Sequence, residues 1–585
     1  MVAGSGADAG SDEFGRFLSE NWGRWLAEFP EVATQYGVAG LNDRWTDDSP
    51  DGIERRRRLL AESLERVRAF VPKALSAARR LDYELYRETL EAAEHGLRFG
   101  DDPSPFRSVV PHNLWMPLNQ MEGIHISATE TLDLQPKERP GDVTDLLARL
   151  ASLPRAVDQQ IALLRAGAAR GFTPPRIAVR GLADQLRGLK PADPAESPLL
   201  RPLLEVSDRI DARSREESIA RGRDLYTAAV APAFERLREF VEREYLPACR
   251  ETVAASALPD GPAAYAHHVR WQTTTTLTPE QIHAVGLAEV ERIRRQMEAI
   301  ARSTGFAGSL REFNEMLRTE RRFYFDRPEE LIDGYRAVCK RIDPALARLF
   351  GRLPRLPYGV LPVPEFRAKS SPSAYYNPGS PAVGRPGYFY ANTYDIGKRP
   401  RWEMEALALH EAVPGHHLQL SLAQEAATDA QFRRFAGYSA FVEGWGLYAE
   451  SLGEELGLLA DPYSKFGQLT FDMWRSIRLV VDTGMHALGW SRERAIDFFR
   501  ENTGKSDLDI AVEVDRYIVW PGQALAYKLG QLRFRELRTG AERSLGDRFD
   551  VRAFHDRALG SGALPLEILE RQIRDWVESG GPPAA

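Results

Sequence analysis

His410-Glu411-Ala412-Val413-Pro414-Gly415-His416-His417 stands in a chain of 585 residues, and its reading decides the fold. It opens with the His-Glu pair of the HExxH zinc motif, but position 414 is Pro rather than His. In HExxH two His one helical turn apart hold one ion while the Glu serves a water. Here the next His come six and seven positions after the first. On an unbroken helix six residues rise about 9 Å and turn off the first face, so the two could not share an ion. Pro414 argues against an unbroken helix. It removes a backbone donor, clashes with the preceding turn and biases Val413 away from helical angles. Gly415 then permits an unusual backbone conformation. Together they predict a loop of two extra residues that returns His416 to the place of the second ligand. His417 is its rival, and three histidines capping a helix end are the alternative to any metal.

A third ligand decides between these readings. Phe441-Val-Glu-Gly-Trp445-Gly-Leu-Tyr448 reads as a helix whose apolar stripe is Phe441, Trp445, Tyr448 and Leu452. Glu443 lies off that stripe. Gly444 and Gly446 each cost about 1 kcal/mol of helix propensity against Ala, which suggests that something packs closely there. A solvated carboxylate is the ordinary fate of a Glu, but downstream of the His motif the ligand reading is preferred. Two His and one Glu leave a fourth position open, the catalytic arrangement of zinc. The expectation is one Zn2+ per chain on His410, His416 and Glu443, with Glu411 as base on a zinc-bound water.

Working outward, most of the chain has helical periodicity. Gly52 to Phe99, Asp142 to Ala168, Asp208 to Tyr245, Pro279 to Ser303, Asp326 to Leu349 and Phe466 to Leu488 all read this way. Thr278 before Pro279 is a good helix start. Residues 351–400 differ, being rich in Pro, Gly and Tyr, and within them Gly387-Tyr-Phe-Tyr-Ala-Asn-Thr393 has strand composition. The fold class is therefore mainly α with a small sheet. A weak boundary near 255–278 divides the chain into a loose tail (1–14), a helical N-terminal lobe (15–270) and a catalytic half (271–585).

Composition narrows the function classes. The net charge is −7, with 43% hydrophobic and 28% charged residues, as in ordinary globular proteins. Mild acidity argues against nucleic acid or an anionic membrane as partner. Only 9 of 77 basic residues are Lys, a bias attributed to genome composition. The two cysteines, Cys249 and Cys339, form neither a metal spacing nor a disulfide framework. No apolar run approaches a bilayer span, and Met1 to Phe14 lacks the basic start and apolar segment of a leader. These features predict a cytoplasmic protein.

The sequence resembles a large bacterial family catalogued as a domain of unknown function and marked by HExxPGHH. The resemblance extends over most of the chain. It includes Leu258-Pro-Asp-Gly261 with Tyr265, Thr278-Pro-Glu-Gln-Ile-His283, Phe441-Val-Glu-Gly-Trp445, Arg478-Leu-Val-Val-Asp-Thr-Gly-Met-His486, Glu513-Val-Asp-Arg-Tyr-Ile-Val-Trp-Pro-Gly-Gln523 and Tyr527-Lys-Leu-Gly530. More distantly, the second half is similar to the helical gluzincin peptidases: angiotensin-converting enzyme, thimet oligopeptidase and the Taq-type carboxypeptidase. That resemblance implies two helical lobes, a deep cleft and a small sheet beside the metal helix. It also implies His410, His416 and Glu443 as ligands, with Val413-Pro414 as a two-residue insertion.

Further site residues follow from the same resemblance. Arg516-Tyr517 is similar to an Arg-Tyr pair whose Tyr stabilises the tetrahedral intermediate, where a preorganised donor lowers the barrier. Tyr527 is the competing donor. His486 is either a second donor or a buried structural His. The strand Gly387 to Thr393 is expected to pair with an extended peptide as an edge strand, with Tyr390 or Asn392 facing it. Arg516 or Lys528 could hold a terminal carboxylate. The resulting expectation is a zinc metallopeptidase of carboxypeptidase or oligopeptidase type, acting on a short peptide or small amide. The alternatives are a non-catalytic metal- or peptide-binding protein and an amidase for a non-peptide metabolite.

Overall fold

The computed structural model describes residues 4–107, 111–369, 371–380, 384–426, 428, 430–434 and 437–581. The chain forms two compact units, Met1–Ala264 and Tyr265–Ala585.

In the first unit, helix α1 (Gly4–Glu28) begins inside the segment expected to be a loose tail. Met1 to Ala3 lie outside the described residues. Ser11, Phe14 and Leu18 are spaced for one helical face and are buried, Phe14 completely, so packing extends the helix toward the terminus. The charged stretch that follows becomes α2 (Pro50–Ala69) and α3 (Ala77–Gly96), each started by a serine. Ser49 accepts from Gly52 N and Ser76 from Arg79 N, satisfying amides that a first turn leaves orphaned. The long α4 (Pro140–Ala169) presents Leu146, Leu150, Leu153, Val157 and Leu164 to the core with Phe234 and Leu237 of α5 (Ala231–Phe240). Arg149 is fully buried on α4 and donates to Thr34 Oγ1 and the Leu41 carbonyl, both at 2.8 Å.

In the second unit, α6 (Pro279–Ser303) starts with a reciprocal cap between Thr278 and Gln281. Three short strands follow, β1 (Tyr358–Pro362), β2 (Ala374–Asn377) and β3 (Gly387–Ala391). Then come α7 (Met404–Glu411), α8 (His416–Glu425), α9 (Ser439–Ser451), α10 (Pro462–His486), α11 (Asp507–Val519) and α12 (Ala526–Leu545). Almost every residue of α10 is buried, so this helix is the centre of the unit. Its one-sided neighbour α6 crosses it where Gly286 meets Leu479 and Val480. Within this apolar layer Lys528 is fully buried and paired with Asp472 (2.6 Å) and Glu289 (2.7 Å). Lys528 is thereby committed to the interior.

Helices α9 and α12 touch backbone to backbone. A Cβ on Gly444 would fall 2.4 Å from the Cα of Gly530, and one on Gly530 would fall 1.9 Å from the carbonyl oxygen of Ala440. This contact explains Gly444 in a helix that would otherwise favour Ala.

The sheet order is β1-β3-β2, with β1 parallel and β2 antiparallel to β3. The expectation of β3 as an edge strand is corrected: it is the central strand, paired on both sides. Phe389 and Ala391 are buried and alternate with the half-buried Tyr388 and Tyr390, as a strand with one inner face requires. The two flanking strands are short, β1 carries Gly359 and Pro362 and β2 has only four residues between Pro372 and Pro378, which hid them from a composition reading.

Candidate metal centre

Helix α7 ends at Glu411 and α8 starts at His416. Between them Ala412 takes φ −97°, ψ −108°, far from helical values. Gly415 passes so close to the end of α7 that a Cβ there would lie 1.9 Å from the His410 carbonyl oxygen. Trp445, buried on α9, donates from Nε1 to the Pro414 carbonyl at 2.8 Å and fixes the loop. The two helices thus turn His410 and His416 toward each other, with ring centroids 4.7 Å apart and planes at 87°.

Glu443 completes the group. Its Oε2 lies 3.6 Å from His410 Nε2 and 3.6 Å from His416 Nε2. One ligand atom from each of the three residues lies within 4.8 Å of the others. Two ligands about 2.1 Å from a tetrahedral zinc are about 3.4 Å apart, so the spacing fits one ion. The donor set, two imidazoles and a carboxylate, fits zinc as well. Burial alone would lower the His410 pKa, but the carboxylates of Glu443 and Glu450 push it up to about 10. Burial alone would raise Glu443, yet His410 and His416 hold it well below the usual carboxylate range. The imidazoles and carboxylates of the cluster thus favour one another's charged forms.

Neighbouring residues set the orientation. His410 Nδ1 is 2.8 Å from Glu450 Oε1, and Glu450 is only 1% exposed. Gly446 makes room for the imidazole, because a Cβ there would lie 2.8 Å from His410 Cε1. Glu443, Gly446 and Glu450 recur at i, i+3 and i+7, one face of α9. That spacing is visible in the sequence and could have located Glu450. Glu411 is buried at the end of α7, and among the described residues its carboxylate has no hydrogen bond or ion pair. His417 turns the other way. Its Nδ1 is 2.8 Å from the Tyr376 hydroxyl, its ring lies 4.6 Å from that of Tyr358, and burial holds its pKa down to about 4. His417 therefore ties the sheet to α8, and His416 faces Glu443.

The profile of the family described as "Bacterial protein of unknown function (DUF885)" matches residues 30–573. The chain belongs to the DUF885 family. The crystal structure of a candidate lipoprotein from Colwellia psychrerythraea is similar over 97% of this chain and 100% of that one, with 28% identity and a TM-score of 0.88. A candidate lipoprotein of unknown function from Shewanella oneidensis shares the fold at 17% identity and a TM-score of 0.74, over 96% of this chain and 99% of its own. No curated protein matches the sequence. Among the described residues no helix is long and apolar enough to cross a membrane.

The remaining candidate residues of this DUF885 chain fall into two groups. Asn392 is buried and ties its own loop together, donating to the carbonyls of Ala368, Ser371 and Pro372. Tyr390 stacks on Tyr375, centroids 5.0 Å apart, on the sheet face away from His417. His486 is fully buried, with Nε2 2.9 Å from the Tyr517 carbonyl. These three have structural partners.

The second group lies on α10, α11 and α12. Tyr517 is 1% exposed, and its hydroxyl donates to Glu513 Oε2 at 2.7 Å while accepting from Arg478 Nε (2.9 Å) and Trp474 Nε1 (3.1 Å). Burial is the main reason its pKa lies above the ordinary tyrosine value. The Tyr527 hydroxyl accepts long bonds from Arg516 Nη2 and Gln523 Nε2, both at 3.4 Å, and donates to no described residue. Arg478, whose guanidinium lies 4.5 Å from the Tyr527 ring centroid, was read in the sequence only as part of a family motif. Its burial inside an apolar helix was the signal that could have singled it out.

Proposed function

We propose that this DUF885 protein is a zinc-dependent hydrolase of peptide or amide bonds, most simply a metallopeptidase. The observation that carries the reading is the meeting of His410, His416 and Glu443 at the spacing of one ion, beside a Glu411 carboxylate with no hydrogen bond or ion pair among the described residues. His410, His416 and Glu443 would hold the zinc, which would supply Lewis acidity for the attack of water on a carbonyl.

The chain's own residues have the following roles. Glu411 takes the proton of the attacking water and hands it to the leaving amine. Glu450 fixes the His410 ring through Nδ1, as a carboxylate commonly does behind a ligand imidazole. Tyr527 is the better candidate for the donor to the developing oxyanion, because its hydroxyl proton is uncommitted. Tyr517, favoured by the resemblance, would first have to leave Glu513.

The competing reading is a binding protein with a structural metal. Structural zinc sites are closed by four protein ligands, whereas the group here has three among the described residues, and a structural site has no use for Glu411. The test is metal analysis of purified protein with a screen of short peptides carrying free and blocked ends. About one zinc per chain is expected, lost in His410→Ala. Glu411→Gln should retain zinc while turnover falls by roughly 10²–10⁴. Full zinc content in His410→Ala, or undiminished hydrolysis in Glu411→Gln, would sink the assignment.

A further inference from the structure

Glu450 meets His410 through one oxygen only, which leaves the carboxylate itself to be held. With His410 Nε2 reserved for an ion, Nδ1 carries the proton and donates to Glu450 Oε1 at 2.8 Å. Glu450 Oε2 is buried and has no hydrogen-bond partner among the described residues. A glutamate has enough rotamer freedom that a single hydrogen bond does not fix it. A carboxylate removed from water also calls for an opposite charge.

Arg475 of α10 stands where that charge is needed. Its Nη2 lies 3.8 Å from Glu450 Oε1, and both side chains are buried. The separation is that of an ion pair rather than of a hydrogen bond. Among the described residues Arg475 is the only Lys or Arg paired with Glu450, and Glu450 is the only carboxylate paired with Arg475. The guanidinium is itself held by its own helix. Nη1 donates to the Phe471 carbonyl at 3.4 Å, and the group lies 4.9 Å from the centroid of the Phe471 ring. Its Nε is buried and makes no hydrogen bond. The neighbouring buried cations are engaged elsewhere: Arg478 with Tyr517 and Glu513, Lys528 with Asp472 and Glu289.

We infer that Arg475 is a positioning residue of the metal centre. It holds Glu450, Glu450 holds the His410 ring, and zinc affinity therefore depends on a guanidinium two contacts away from the ligand. The inference rests on the zinc reading above. Successive contacts of 3.8 and 2.8 Å join Arg475 on α10 to Glu450 on α9 and to His410 on α7. Three helices are thus tied at one ligand. A guanidinium suits this place because it keeps its charge and is more weakly hydrated than an ammonium group. The rival role is a counter-charge that stabilises the fold and leaves the ligand indifferent.

A double-mutant cycle on full-length protein separates the two roles, with zinc affinity read by competition against a chelator of known affinity. Arg475→Met should weaken zinc roughly 3- to 30-fold, the span for residues that act through another, and Arg475→Lys should regain part of the loss. In a Glu450→Gln background Arg475→Met should change zinc affinity by less than about 2-fold, because no carboxylate charge remains to be held. Arg475→Met strands a buried carboxylate, so its urea midpoint should fall, and adding Glu450→Gln should recover it. Should Arg475→Met not fold, Arg475→Lys carries the same comparison in both backgrounds. Equal weakening of zinc in the two backgrounds would show that Arg475 acts by a route other than Glu450. A lowered urea midpoint with unchanged zinc affinity would leave Arg475 a counter-charge. Either result overturns the inference. The zinc reading fails differently: a wild-type protein without affinity for zinc sinks the metal centre and this role with it. A wild type that binds zinc beside an Arg475→Met protein that binds it equally well sinks the role alone.

Discussion

Glu450 Oε1 lies 2.8 Å from Nδ1 of His410, two helical turns beyond Glu443 on the same face of α9. One short helix therefore supplies a ligand and the carboxylate that orients another ligand. Rotating or shifting α9 would disturb both together.

This coupling makes Glu450→Gln informative. The substitution keeps the shape and removes the charge that favours Nδ1–H on His410. Zinc affinity should fall about 10- to 100-fold, the usual loss when such a partner is removed, while the fold persists. Competition with a chelator of known affinity measures it. Unaltered affinity would mean that the His410 ring is held by packing alone.

Gly446→Ala probes the same ring from the other side. In an open helix the change would stabilise by up to about 1 kcal/mol. Here the added methyl would sit 2.8 Å from His410 Cε1 and 3.0 Å from Nε2, so the imidazole must move. The expected outcome is a protein of near-normal thermal stability that holds zinc poorly. Normal zinc content would show that the ring has slack.

The sequence made the helices legible because their periodicity and caps are local. Pro279–Ser303 starts after Thr278 with Pro279 in its first turn, as expected, and Phe441 and Trp445 do face inward. The turn at Pro414 was legible for the same reason, since a proline acts on its immediate neighbours. The sheet order was not. Which strand is central depends on Tyr358 to Pro362 and Ala374 to Asn377 arriving from either side, and nothing inside Gly387 to Ala391 records that. Nor could the sequence tell Tyr517 from Tyr527. Both sit in aromatic, charged surroundings, and only the positions of Glu513, Arg478 and Trp474 show whose proton is taken.

Asp482 gives a pH prediction. It is fully buried, accepts from Tyr265 Oη at 2.5 Å and from Gly522 N at 3.1 Å, and burial pushes its carboxyl up to about 7 against those two donors. Its unfolded value is near 3.8. The folded state thus binds more protons than the unfolded state between these values, so this group's contribution falls as pH rises through that window. The loss amounts to a few kcal/mol, at 1.36 kcal/mol per pKa unit. Asp482→Asn cannot ionise. Wild-type stability relative to that variant should decline between about pH 4 and 7, as read from urea midpoints. A difference independent of pH would place the Asp482 pKa near its ordinary value.

The two tyrosines test the transition state. Tyr517→Phe removes a hydroxyl with three partners, leaving the Trp474 and Arg478 donors without an acceptor. The cost belongs to stability, about 1–3 kcal/mol for buried groups left unpaired, and kcat should change little. Tyr527→Phe removes a hydroxyl that donates to no described residue and accepts only two bonds of 3.4 Å. If that proton serves the oxyanion, it matters only as charge builds in the transition state. Then kcat should fall about 10²–10³-fold with little movement in KM, the worth of one oxyanion donor, and stability should hardly change. Both variants delete the same atom from the same residue type, so helix propensity and ring packing cancel in the comparison. A large kcat defect in Tyr517→Phe with none in Tyr527→Phe would return the role to the Arg516-Tyr517 pair. Glu513 would then have to release that proton during turnover, and kcat should respond to Glu513→Gln as well.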